Sequence, residues 1–93
     1  MTIETILAER GATYGEYAEG SDLAMRLLAV VHSGAKYEEM NHGQQYAMFM
    51  FCAKMARLLN GDPDHVDSWS DIAGYATLVL ETLKGDDNER GSA

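Results

Sequence analysis

Apolar positions recur at helical spacing along most of the chain, and no stretch holds the strict alternation of a half-buried strand. Ile3, Ile6 and Leu7 share one face of a segment running from Thr2 to Arg10, with Gly11 as its expected stop. A helix that short is unstable alone and needs a partner. A second helix is expected after Gly20, with Ser21 as N-cap and Asp22 at the positive end of the dipole. Leu23, Leu27, Val30 and Val31, flanked by Ala24 and Leu28, then repeat at helical period until His32-Ser33-Gly34. Asn41 followed by Gln44 has the form of a capping box and opens a third helix that runs to Leu59, where Asn60-Gly61 supplies the stop. After Asp62-Pro63 a fourth helix runs from near Asp64 to about Lys84. On it Val66, Trp69, Ala73, Ala76, Leu80 and Leu83 alternate spacings of three and four, the seam of a bundle or coiled coil. Gly85 to Ala93 is polar and contains Gly and Ser, as a frayed tail does. The expected architecture is all-α: one domain over 1–84, a compact bundle of about four helices built on an antiparallel helix 3–helix 4 hairpin, and a flexible tail over 85–93.

Composition sharpens this in two ways. Ninety-three residues leave room for a single domain, yet Tyr46 to Ala53 is apolar on every side of its helix. So short a chain has too few other helices to surround it, and the economical cover is another copy, so a homo-oligomer is expected. Fifteen acidic against seven basic residues give a net charge of −8. Such a balance opposes bulk nucleic-acid binding, which needs a basic footprint. It still permits a small anionic ligand held by two or three concentrated cations. Cys52 is the single cysteine, which rules out an intrachain disulfide, and its apolar setting gives no reason for reactivity. No apolar run approaches the roughly 20 residues of a bilayer span, so no membrane partner is expected. Acids in MTIETILAER stand where a signal peptide would be basic, and a reducing cytoplasm is the expected location.

Candidate chemistry lies in two places. In a short-looped hairpin, paired positions have nearly constant index sums, which sets Lys54 opposite Asp71 and Arg57 opposite the Asp67–Ser68 level. These four charges converge either as salt bridges that fix the register or as a small polar site for a phosphate or a metal. Trp69 and Tyr75 belong to the same region, Trp69 on the apolar seam and Tyr75 one turn beyond Asp71. Gly74, in mid-helix, suggests a close approach of backbone or ligand. The second place is Arg10 to Tyr17, read as a loop with two glycines, Tyr14, Tyr17 and an arginine. Backbone N–H groups at Gly15 and the following helix start are candidates for an anion, with an aromatic ring available for stacking, although an ordinary connector has the same composition. Neither glycine pattern matches a phosphate-loop or dinucleotide fingerprint. The histidines His32, His42 and His65 are scattered rather than at metal-ligand spacing, and no serine sits in a nucleophile elbow.

Taken together, Arg10…Tyr14-Gly15, Lys54-Met-Ala-Arg57, Leu59-Asn60-Gly61-Asp62 and Asp67-Ser-Trp69-Ser-Asp71-Ile-Ala-Gly74-Tyr75 resemble a family of short phage and prophage proteins of unassigned function. That resemblance covers roughly residues 3 to 83 and implies a phage-encoded helical protein acting in the host cytoplasm. A looser one is to the MazG-type all-α nucleotide pyrophosphohydrolases, which hold Mg²⁺ between acid pairs on two helices. Asp67 and Asp71 could echo one such pair, at a spacing of four rather than three, but no carboxylate occurs from Gln44 to Asn60. Lys54 and Arg57 stand there instead and neutralise the site.

Two functions follow from these residues. One is a non-catalytic, cofactor-free binder of a nucleotide-like anion in oligomeric pockets, by analogy with small phage proteins that sequester immune signals. Its ligand-binding residues would be Arg10, Tyr14, Gly15, Tyr17, Lys54, Arg57, Trp69, Asp71 and Tyr75. The alternative is a Mg²⁺-dependent pyrophosphohydrolase, with Asp67 and Asp71 on the metal and Glu16 or Glu19 as base. A protein-binding adaptor is a third reading.

Overall fold

The computed structural model describes residues 1–89. Four α-helices run in the order α1 (Ile3–Tyr14), α2 (Tyr17–His32), α3 (His42–Asn60) and α4 (Val66–Glu89), with a single 3₁₀ turn, Tyr37–Glu39, between α2 and α3. No strand occurs among the described residues, and no helix there is long and apolar enough to cross a membrane.

The central element is α3. Its N-terminus is a complete capping box: the Gln44 backbone N–H donates to Asn41 Oδ1 at 2.8 Å, and the Asn41 N–H donates to Gln44 Oε1 at 2.9 Å. Flanked by α2 on one side and α4 on the other, it carries the buried side chains Ala47, Cys52, Lys54, Ala56 and Leu58, to which α4 adds Ser68. Small residues at Ala47, Cys52 and Ala56 let the neighbouring helices approach closely. Burial pushes the Cys52 thiol pKa up, so it stays protonated and inert. Tyr46 and Phe49 remain exposed, so one chain does not cover the all-apolar stretch.

Several boundaries differ from the sequence expectation. The first helix does not stop at Gly11 but continues to Tyr14, and Gly15 at φ 80° ends it by donating its N–H to Gly11 O at 2.8 Å. Residues 10–14 are therefore helix, not loop. In turn α2 begins at Tyr17 rather than after Gly20, and Ser21 lies inside it with its hydroxyl on Ala18 O. The fourth helix extends to Glu89, past the expected boundary at Lys84; the rest of the expected tail, 90–93, lies outside the described residues.

A larger difference concerns α4. The face turned to α3 carries Ser68, Ile72, Tyr75 and Val79, not the apolar seam. Val66, Trp69, Ala73, Ala76, Leu80 and Leu83 all stay exposed, Val66 at 75% and Leu80 at 48%. At about 3.6 residues per turn the two faces lie roughly a quarter-turn apart. Hydrophobic spacing located the stripe correctly; the Lys54–Asp71 pair lies across the face that meets α3, and Ser68 is buried on it.

The molecule is open rather than compact. Its radius of gyration is 16.5 Å and its extents are 56 × 28 × 21 Å, whereas a compact chain of this length has a radius near 12 Å.

Candidate functional site

The site is built where the C-terminal ends of α1 and α3 meet the start of α4. Tyr14-Gly15 and Asn60-Gly61 lock together through backbone. The Asp62 N–H donates to Thr13 O at 2.8 Å. Asn60 Nδ2 donates to Glu16 O at 3.0 Å and to Tyr14 O at 3.3 Å. A Cβ on Gly15 would collide with Asn60, and one on Gly61 with the Thr13 carbonyl. Both glycines are thus required by the junction itself. Since the Gly15 N–H is spent on Gly11 O, the anion-binding backbone expected at Gly15 is not formed.

This junction places the Tyr14 ring over the hairpin. The Arg57 guanidinium lies 4.6 Å from the ring centroid, in cation–π geometry. His65 meets the same ring edge-on at 5.5 Å, and its Nδ1 forms a 2.8 Å hydrogen bond with Ser68 Oγ. Lys54 Nζ reaches Asp71 Oδ2 at 2.9 Å, the pairing that the hairpin register requires. The Lys54 ammonium is the buried partner, with a side chain only 11% accessible, and Asp71 is about half exposed. The hydrogen bond from Lys54, with the added positive field of Lys54, Arg57 and His65, holds the Asp71 carboxyl below its ordinary range. One turn further along α4, Tyr75 packs edge-on against Tyr46 at 5.9 Å. Burial, then Tyr46 and Asp71, push its phenol pKa up.

The expected Arg57–Asp67 bridge is not made: among the described residues no ion pair joins them, and the guanidinium sits on Tyr14 instead. The cause is the longer α1, which delivers Tyr14 over the hairpin. Arg10, on α1, is exposed and lies one turn before Tyr14 on the same helical face. Tyr17 is exposed at the start of α2, apart from the cluster. Trp69 is also elsewhere. It is 56% exposed, donates from Nε1 to Pro63 O at 2.8 Å, and lines an apolar groove with Val31, Met48, Phe51, Met55 and Ile72. Gly74 has open space beyond its Cα, so the expected close approach is absent within the chain. His65, Ser68 and Asn60 were not singled out as site residues from sequence. Position 65 was the weakest signal, since its role depends on the turn that brings it under Tyr14.

The charges have an informative distribution. Of the five cations ahead of α4, Arg26 pairs with Asp22 at 2.9 Å, Lys36 with Glu39 at 3.1 Å, and Lys54 with Asp71. Arg10 and Arg57 form no ion pair among the described residues; Arg57 stacks on Tyr14, and Arg10 lies one helical turn before Tyr14 on α1. No group of three or more His, Cys, Asp or Glu able to hold a metal occurs among the described residues.

Comparison with curated proteins and with solved structures returns no match. The family model for a domain of unknown function, DUF6378, matches residues 2–83, which takes in α1, α2, α3, most of α4 and every residue of the cluster. The chain belongs to the DUF6378 family.

Proposed function

We propose that this protein is a non-catalytic binder of a small nucleotide-like anion, held at the Tyr14 cluster. The observation that carries the reading is that Arg57, unlike the paired Arg26, Lys36 and Lys54, keeps its guanidinium out of ion pairs among the described residues and stacks on the Tyr14 ring, while Arg10, also outside the ion pairs, lies one helical turn before Tyr14 on α1. A guanidinium has five donors in a planar fork suited to phosphate, and stacking on Tyr14 uses its face while leaving its edge available. Arg57 joins the Lys54–Asp71 pair with no carboxylate of its own among the described residues, in a chain whose total is −8.

In the setting implied by resemblance to phage and prophage proteins, such a site in the host cytoplasm would sequester a nucleotide signal of bacterial immunity. The pyrophosphohydrolase reading is weaker because Asp71, one of its two metal carboxylates, is bound to a buried ammonium.

Calorimetric titration with a panel of cyclic and linear nucleotides, with and without Mg²⁺, tests the proposal. Arg57→Gln and Arg10→Ala should each weaken binding at least about tenfold, the scale of one lost charge-assisted contact. Arg26→Ala should leave it unchanged. Mg²⁺-dependent turnover lost in Asp71→Asn would establish the hydrolase instead, and a wild type that binds no panel member would favour the adaptor.

A further inference from the structure

The exposed seam of α4 is the feature that the anion site leaves unused. Val66, Trp69, Ala73, Ala76, Leu80 and Leu83 form a straight apolar stripe about 26 Å long, on a helix whose other face is already packed on α3. Trp69 belongs both to this stripe and to the groove bounded by Val31, Met48, Phe51, Met55 and Ile72, about 320 Å³ in volume. Seam and groove therefore make one continuous apolar face.

We infer that this face is covered by a second copy of the chain, packed α4 against α4 as a two-fold dimer. Three observations choose that occupant. The three-four spacing is that of a helix packing against its like, and it is uninterrupted from Val66 to Leu83. Charge placement agrees: two chains of −8 repel, yet Asp67, Asp71 and Glu81 all project from the side of α4 away from the seam. The opposite face of the layer, with Tyr46, Phe49 and Leu78, borders the charged Lys54–Asp71 and Arg57 cluster and is the poorer candidate. Area is the third. The chain exposes 6775 Å², whereas a compact protein of 10.2 kDa exposes about 5,300 Å². That surplus is larger than the roughly 800 Å² that each partner contributes to a standard stable interface. The inference is independent of the anion site, which lies on the other face.

Light scattering on the full chain at micromolar concentration, with circular dichroism as a check on folding, tests it. Wild type should have twice the chain mass. Leu80→Glu, whose carboxylate the isolated chain can leave in water, should give a helical monomer, and Leu78→Glu, on the far flank of the same helix, should stay a dimer. If Leu80→Glu loses helicity, Ala76→Lys, an exposed change between good helix formers, is read in its place. A monomeric wild type leaves the face to a partner of another kind and overturns the inference. So does a dimer unaffected by the seam variants, or one equally sensitive to Leu78→Glu.

Discussion

Gly15 and Gly74 differ in what surrounds the missing side chain, and the difference can be measured. Gly15 combines φ 80° with an Asn60 carbonyl where a Cβ would go. Gly15→Ala should therefore cost at least about 2 kcal/mol, read as a lower denaturation midpoint at unchanged slope. Gly74 faces open space in mid-helix. Gly74→Ala should stabilise by about 1 kcal/mol and raise Tm by roughly 4–8 °C. The Lys54–Asp71 pair has a directional signature too. Because the folded carboxyl is held below its ordinary value of 3.8, its contribution is complete above that value and is lost as pH falls through the depressed one. Asp71→Asn should flatten the fall of Tm between about pH 5 and pH 2. Lys54 is the buried partner, so Asp71→Leu, which strands the ammonium, should lower Tm more than Lys54→Met. Equal Tm losses in the two variants would contradict that asymmetry.

At the scale of the element, what could be read from sequence was what neighbours in sequence decide. The Asn41–Gln44 capping box needs only four consecutive residues, and it is present in full. Asn41→Ala should cost about 1 kcal/mol through a lost cap, measurable in thermal or denaturant unfolding. Where the reading departed from the structure, a distant partner was responsible. Helix α1 passes Gly11 because its real stop is the junction with Asn60-Gly61, many residues away. The Tyr14-Gly15 motif was visible as a motif, but its use is backbone locking and presentation of the ring, not a phosphate loop. On α4 the apolar period was legible while its orientation was not. The Lys54–Asp71 pair, with Ser68 buried on the same side, turns the helix so that its most apolar stripe faces away from α3.

For the whole molecule, α3 lies between α2 and α4 in an open layer, with α1 attached chiefly at its C-terminal end. The hairpin register, and with it Lys54 against Asp71, followed from a short loop and an index sum. The Tyr14–Arg57–His65 grouping did not, because it requires the end of α1 to fold back on the end of α3. That fold-back also brings Arg57 onto the ring of Tyr14, one helical turn from Arg10, and the proposed binding rests on it. Native mass spectrometry of the freshly purified protein, before and after addition of the nucleotide panel, tests this most directly. The account predicts a complex whose added mass is that of an unmodified nucleotide, retained by wild type and lost from Arg57→Gln. Bare polypeptide at every nucleotide concentration, or an adduct that Arg57→Gln retains undiminished, would contradict it.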